Sequence, residues 1–158
     1  MKRRKLTARN ADINRLYEES VQCTEFEVSF INKLFKRYNK TKCKSLREDF
    51  CASALISSEW VRDNKDNIAI AVDLDRAMIE EAKKTALSRL NSEQQKRIKI
   101  CYGDSSKFNT DKVDCILATN FSYFVFKQRK KLIDYFKHAY KQLKNRGIFM
   151  LDAFGGYE

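Results

Sequence analysis

The chain has 158 residues, of which 43% are hydrophobic and 11 are phenylalanine, and its formal net charge is +11. This length and composition fit one domain with one packed core, and no stretch reaches the roughly 20 apolar residues that span a bilayer. Because the basic start, residues 1–5, leads into polar residues and not an apolar signal core, we expect a cytoplasmic protein without a membrane partner.

The cysteines and the positive charge restrict the classes of site. Five cysteines are scattered without a CxxC pair or a histidine cluster, so we expect free thiols and neither a disulfide framework nor a metal site. Lysine and arginine gain by releasing counterions from a phosphate backbone, which favours polyanions. The basic residues are spread through the N-terminal run, 33–44 and 129–146, which fits a solvated surface equally well.

The N-terminal part has helical periodicity. Apolar residues recur at three-to-four spacing between Asp12 and Tyr38, which predicts two amphipathic helices before the first strand. The break falls near Cys23, where Thr24 followed by Glu27 is typical of a capping box. We predict a helical lead-in over residues 1–42 and an α/β core over 43–158, together forming one domain.

From Lys44 onward, short β-like runs alternate with longer helical stretches. The first predicted strand ends near Glu48, and four further strands are predicted over 68–72, 98–102, 113–119 and 148–151. The predicted helices cover 52–62, 76–90 and 128–143. This alternation predicts a Rossmann-like, doubly wound α/β fold with a mainly parallel sheet and helices on both faces. Ligands of such sheets bind outside the carboxyl ends of the strands, where we expect the site residues.

The turn after the first strand is rich in small residues. Ala52, Ser53 and Ala54 permit a ligand to approach, and free backbone N–H groups at the helix start can receive a carboxylate or phosphate. A plain βα turn explains the segment as well. The glycines of GxGxxG are missing, which is evidence against a dinucleotide-dependent dehydrogenase.

Carboxylates follow the next two strands. Asp73 lies about 25 residues after the first turn, where Rossmann-like sites accept ribose hydroxyls. The alternative is that Asp75 caps the helix from Arg76 and that Asp73 is a solvated strand end. Asp104 can accept a hydrogen bond from an adenine amine, and Gly103 allows a tight turn beside it.

Several segments together resemble one family. The segment 46–55, LREDFCASAL, resembles the first motif of a bacterial class I S-adenosylmethionine-dependent methyltransferase family, in which an REDFCGT-like segment replaces the glycine-rich loop. Residues 16–22 resemble its N-terminal segment, and 72–75 resemble its ribose motif. Residues 120–123 and 152–158 are similar to its later blocks, so the likeness covers nearly the whole chain.

The resemblance implies S-adenosyl-L-methionine as the cofactor and methyl transfer to an unidentified nitrogen, oxygen or carbon acceptor, either a small molecule or RNA. The implied cofactor-binding residues follow four strands: Glu48, Asp49, Phe50, Cys51, Ala52, Ser53, Asp73, Leu74, Gly103, Asp104, Ser105, Asn120, Phe121 and Ser122. Tyr123 and Asp152 are implied to orient or deprotonate the acceptor, and Tyr17 and Tyr123 to bind it. Phe121 or Tyr123 can pack against a cationic sulfonium, with ordinary core packing as the alternative.

The sequence departs from the family in two places. Ala52 and Ser53 stand where the resemblance implies glycine and threonine, and an added methyl group there crowds a ligand or disfavours a positive φ. The family's domain also continues beyond the last predicted strand through a helix and an antiparallel strand pair, so the last strands of the sheet have no counterpart here. We therefore expect a homodimer or a completing partner chain, with a non-catalytic binding or partner module, for example for RNA, as the alternative function.

Overall fold

The computed structural model describes residues 23–154. The elements in chain order are α1 (Thr24–Asn39), β1 (Ser45–Asp49), α2 (Leu55–Asp63), β2 (Ile68–Asp73), α3 (Arg76–Thr85), α4 (Ser92–Gln95), β3 (Ile98–Tyr102), β4 (Val113–Ala118), α5 (Arg129–Gln142) and β5 (Leu143–Leu151). Two short 3-10 helices lie at Leu87–Arg89 and Ser122–Val125. None of the helices within residues 23–154 combines the length and the apolar character that crossing a membrane requires.

The five strands form one parallel sheet in the order β3-β2-β1-β4-β5. The order reverses at β1, and every residue of that strand is buried. α1 and α2 pack on one face of the sheet around the fully buried Trp60, and α5 packs on the other face through Tyr135 and Ala139. The predicted doubly wound α/β fold is therefore confirmed.

The sheet is pinned by burial on both of its faces. Leu46 of β1 belongs to the core cluster under α1 and α2, whereas the adjacent Arg47 contacts the opposite side through Phe108 and Ser105. A shift of one residue in the pairing would exchange these two environments. The register is thus fixed, because Leu46 needs the apolar side and Arg47 needs the polar partners of the opposite side.

Three predicted boundaries differ from the structure. α2 begins at Leu55, three residues later than predicted, because Phe50, Ala52 and Ala54 all take positive φ. β5 begins at Leu143, directly after α5 and five residues earlier than predicted. The helix that was predicted over 76–90 ends at Thr85, and a separate 3-10 helix follows at Leu87–Arg89.

The predicted capping box is wrong. Cys23 is the N-cap of α1, no side chain caps the helix, and Thr24 is already its first helical residue. The second of the two predicted N-terminal helices corresponds to α1. The first helix and Tyr17 lie outside the described residues.

Candidate functional site

The loop between β1 and α2 has an unusual backbone. Phe50, Ala52 and Ala54 have φ values of 56°, 44° and 54°, in the left-handed region that favours glycine. Two hydrogen bonds hold it: the Cys51 N–H donates to the Val72 carbonyl at 3.1 Å, and the Ala54 N–H donates to the Cys51 carbonyl at 2.7 Å. The positive φ at Ala52 is the conformation for which glycine was expected at this position.

Asp73 links this loop to the start of α3. Its Oδ2 accepts from the Ala52 N–H at 2.8 Å, and its Oδ1 accepts from the Asp75 N–H at 2.9 Å. Asp75 caps α3 by accepting from the Ala77 and Met78 N–H groups. Asp75 therefore performs the capping role, and Asp73 is held in place by backbone donors while each of its oxygens retains a free lone pair.

Exposed side chains flank Asp73 at the ends of β2 and β3. Leu74 is 62% exposed and Tyr102 is 49% exposed, and the Arg76 guanidinium lies 4.9 Å from the Tyr102 ring centroid. A flat apolar surface beside a carboxylate suits a base attached to a ribose. The sequence reasoning missed Tyr102 and Arg76, although the strand-end position of the tyrosine was a usable signal.

The turn after β3 is rigid. The Asp104 Oδ1 accepts from the Ser106 N–H at 2.9 Å and from its hydroxyl at 2.7 Å. Burial by itself raises the pKa of Asp104, but these hydrogen bonds and the charge of Lys107 outweigh it and lower the pKa. Asp104 is therefore an ionised acceptor at neutral pH.

Gly103 packs closely against a neighbouring aromatic ring. Its φ is not positive, and a Cβ atom at this position would overlap the Phe108 ring. The missing side chain thus makes room for Phe108, and the predicted contact of Gly103 with the base stays a prediction. Ser105 is buried beside it, and its hydroxyl accepts from the Phe50 N–H at 3.3 Å.

Asp49 lies in the interior of the protein. Its Oδ1 accepts from the Arg47 Nε at 2.7 Å, and its Oδ2 accepts from the Tyr135 hydroxyl at 2.9 Å. The Arg47 guanidinium also donates to the carbonyl groups of Phe108 and Ser105. This buried network connects β1, α5 and the turn after β3, so the Asp49 side chain supports the site from beneath.

Glu48 points to the opposite face of the sheet. Its Oε2 accepts from the N–H and the hydroxyl of Ser57 in α2, at 2.9 and 2.5 Å. Burial raises the pKa of Glu48 to about 7, although the Ser57 hydrogen bonds oppose this shift. Cys51 and Ser53 are buried as well, so this segment presents mainly its backbone and Ala52 to a ligand.

Asp152, after β5, organises the loop that follows β4. Its Oδ2 accepts from the Asn120 N–H at 2.7 Å, and its Oδ1 accepts from the Phe121 N–H at 2.9 Å. Asn120 and Phe121 have φ values of 57° and 55°, and the Ser122 hydroxyl donates to the Thr119 carbonyl. The carboxylate that was predicted to act on an acceptor thus holds two consecutive left-handed residues.

Aromatic side chains surround this second loop. The Phe121 ring lies about 6 Å from those of Phe124 and Phe154, and all three rings are exposed. Tyr123 packs edge-on against Phe124, with ring centroids 4.9 Å apart, and its ring is tilted against Phe136 at 6.2 Å. Phe121 is available to a ligand, whereas the Tyr123 ring is largely engaged with other aromatic rings.

The predicted site residues within residues 23–154 lie at the ends of β1 and β2 or in the segments that follow the five strands, and therefore at one edge of the sheet. Their side chains differ in exposure. The side chains of Asp73, Leu74, Asp104 and Phe121 are accessible, and those of Asp49, Cys51, Ser53 and Ser105 are interior.

A parallel sheet with loops and carboxylates gathered at its carboxyl edge defines a Rossmann-like ligand-binding domain. The model of the methyltransferase domain family matches residues 50–151, which include β2 to β5, α2 to α5 and the predicted site residues from Phe50 to Tyr123. The chain belongs to the methyltransferase domain family. This assignment confirms the methyltransferase resemblance, while the finer likeness of the REDFCGT-like motif stays a prediction.

Solved structures of methyltransferases share this fold. An amino pentose methyltransferase from Micromonospora echinaspora, solved with S-adenosylmethionine bound, superposes with a TM-score of 0.73 at 12% identity, covering 97% of this chain and 59% of that protein. A sugar N-methyltransferase from a Streptoalloteichus species gives 0.72 at 15% identity, covering 98% and 58%. An S-adenosylmethionine-dependent methyltransferase from Clostridium acetobutylicum gives 0.71 at 21%, covering 87% and 55%.

The chain thus spans between 55% and 59% of the length of these three proteins. No curated protein sequence matches this chain significantly.

Proposed function

We propose that this chain binds S-adenosyl-L-methionine at the carboxyl edge of its sheet and directs methyl transfer to a nucleophilic acceptor. The carrying observation is the Asp73 carboxylate, which two backbone N–H groups fix between the β1–α2 loop and α3. A carboxylate positioned in this way can accept hydrogen bonds from two vicinal hydroxyls without reorganising.

The accessible residues fit the parts of this cofactor. Asp73 would hold the ribose hydroxyls, and the exposed Leu74 would cover one face of the adenine. Asp104, an ionised acceptor in a rigid turn, would receive the exocyclic amine. Ala52 would face the ligand through its backbone, and the exposed ring of Phe121 would lie beside the sulfonium, because an aromatic face attracts a cation.

The bound cofactor supplies an electrophilic methyl group on a cationic sulfur. The residues of this chain would then have to align the acceptor with that group and exclude water, and alignment alone can account for a large part of the rate enhancement. Tyr123 and Asp152 stay candidates for this step. Asp152 would align the acceptor by positioning, because its two oxygens accept the N–H groups of Asn120 and Phe121 and so hold the loop beside the proposed sulfonium position.

The test is calorimetric titration of the purified chain with S-adenosylhomocysteine. We expect micromolar binding by the wild type and at least a tenfold loss in Asp73→Ala, because the two ribose hydrogen bonds disappear. Asp66→Ala is the matched control: it removes the same charge from a largely exposed side chain outside the proposed site. Absence of binding by a folded wild-type chain, or equal binding by Asp73→Ala, contradicts the proposal.

A further inference from the structure

A cavity lies beside the proposed transfer site. It has a volume of about 180 Å³ and opens between α1 and the carboxyl ends of β4 and β5. Its walls include Phe26, Glu27, Phe30, Thr119, Met150 and Asp152. Thr119 and Asp152 both hydrogen-bond to the loop that contains Asn120 and Phe121, so the cavity and the proposed sulfonium position share a wall.

Glu27 has an unsatisfied oxygen within this region. Its Oε2 is inaccessible to solvent and has no hydrogen-bond partner among the described residues. A buried carboxylate oxygen without a partner is costly, so a hydrogen-bond donor that reaches the Glu27 carboxylate would stabilise it. Among the described residues that line the cavity, Glu27 is therefore the one with a buried side-chain oxygen that lacks a hydrogen-bond donor.

The charges around Glu27 specify that donor. Burial raises the pKa of Glu27, and the negative charge of Asp152 raises it further; Glu48, at the end of β1, is a third acid that interacts with Glu27. The described residues lining the cavity include no lysine, arginine or histidine. A cation that donates hydrogen bonds would relieve both the missing hydrogen bond and the repulsion between the acids.

The remaining walls are apolar. Phe26 and Phe30 stack with ring centroids 6.0 Å apart, and both remain exposed at the mouth of the cavity. Their rings suit a hydrocarbon body and also attract an organic cation. The volume is below that of a drug-sized pocket, so the ligand must be small or enter with only one group.

We propose that this cavity is the acceptor subsite and that it takes a cationic amine with an apolar body, with Glu27 as the residue that recognises the nitrogen. The inference rests on the proposed function, because it makes the nitrogen the group to be methylated. Glu27 would first take one proton from the bound ammonium group. The freed lone pair would then form the N–C bond as the bond between the methyl group and sulfur breaks, and S-adenosylhomocysteine would leave as a neutral thioether. A neutral alcohol of the same shape would not balance the charge of Glu27 and Asp152, so the subsite discriminates by charge.

The test uses benzylamine as the probe and benzyl alcohol as its uncharged counterpart, each titrated by NMR into the chain alone and into the chain with an excess of S-adenosylhomocysteine. We expect wild-type binding of benzylamine, at least tenfold weaker binding to Glu27→Gln, and an intermediate loss in Glu27→Asp. Glu25→Gln, which removes an exposed acid from the same first turn of α1, should bind like the wild type. Benzyl alcohol should bind more weakly and show no dependence on Glu27.

Two results would overturn the subsite: equal benzylamine affinity in the wild type and Glu27→Gln, or no benzylamine binding to the wild type. Circular dichroism of each variant verifies folding, and Glu27→Asp keeps the charge if Glu27→Gln fails to fold. Titration with S-adenosylhomocysteine separates this inference from the proposed function. Cofactor binding without Glu27-dependent amine binding contradicts only the subsite, whereas the reverse pattern contradicts the methyltransferase proposal and leaves the amine site standing.

Discussion

Ala52 occupies a backbone conformation that its side chain disfavours. A non-glycine residue in the left-handed region costs on the order of 1 kcal/mol, and the φ of 44° at Ala52 is coupled to the hydrogen bond between its N–H and Asp73. The strain therefore lies in the loop that positions Asp73, the proposed ribose contact. A substitution that relieves it should affect both stability and ligand binding.

We predict that Ala52→Gly raises the free energy of unfolding by about 1 kcal/mol, because glycine adopts this φ without a steric penalty. Urea denaturation at neutral pH measures the change, and affinity for S-adenosylhomocysteine should also rise. Ala77→Gly is the matched control, since Ala77 is exposed within α3 and has an ordinary helical backbone. It should destabilise the chain by about 1 kcal/mol. The prediction is wrong if both variants are destabilised alike.

At the scale of elements, one buried network ties three parts of the fold together. Asp49 of β1 accepts from Arg47 of the same strand and from Tyr135 of α5, and Arg47 donates to two carbonyl groups after β3. The side chains of both charged residues are completely buried. Breaking a buried ion pair from one side leaves an uncompensated charge, whereas the loss of one neutral donor leaves the pair intact. The two kinds of change should therefore differ in cost.

We expect Arg47→Met to lower the free energy of unfolding by about 3 to 5 kcal/mol, because the Asp49 carboxylate stays buried without its cation. Tyr135→Phe removes only the hydroxyl donor and should cost about 2 kcal/mol. Urea denaturation of both variants gives the comparison. Adding Asp49→Leu to Arg47→Met should recover part of the loss, and a double variant less stable than Arg47→Met alone would argue against the orphaned charge as the cause.

The order and type of the elements could be predicted because the hydrophobic pattern repeats along the chain. Apolar runs such as 68–72 and 113–118 have few alternatives to a strand of a sheet that is covered on both faces, so the parallel sheet followed from the sequence. The boundary of α2 could not be predicted, because three left-handed residues at alternate positions, Phe50, Ala52 and Ala54, are not glycines and leave no local signal. The helix propensity of alanine favours a helical backbone at Ala52, but the hydrogen bond from its N–H to Asp73 holds it in the left-handed region.

The position of the candidate site was predictable from topology, but the roles of its side chains were not. Residues after parallel strands converge at one edge whatever their identity, which placed Asp73, Asp104 and Asp152 in the same region. The partners of a carboxylate depend on distant residues: Asp49 meets Tyr135, 86 positions away, and Asp152 meets Asn120, 32 positions away. Periodicity carries no information about such contacts.

At the scale of the whole molecule, charge is distributed unevenly. The chain carries a net charge of +11, yet Glu27, Glu48, Asp73 and Asp152 gather near the carboxyl edge of the sheet, where burial and mutual repulsion raise the pKa of Glu27 and Glu48. Asp104 and Asp114 have lowered pKa values, so their contribution to stability is lost only in acid, below about pH 4. Between pH 5 and pH 8, the change in stability is therefore controlled by the carboxyl groups whose pKa values are raised.

The sign of the resulting pH dependence follows from linkage. Glu48 binds its proton more tightly in the folded chain, with a pKa of about 7 against an ordinary value of 4.5. Its contribution to stability is therefore present below pH 4.5 and is lost as the pH rises through 7. A difference of this size corresponds to at most about 3 kcal/mol.

We predict that the free energy of unfolding falls between pH 5 and pH 8, and that Glu48→Gln removes most of this fall because glutamine keeps an acceptor for Ser57 without titrating. Urea denaturation at the two pH values measures both slopes. Glu80→Gln, at an exposed acid of α3, should retain the wild-type slope. If the wild type gains stability with rising pH, or if Glu48→Gln falls as steeply, the acidic edge does not control folding, and the buried Glu48 is fully compensated by its hydrogen bonds to α2.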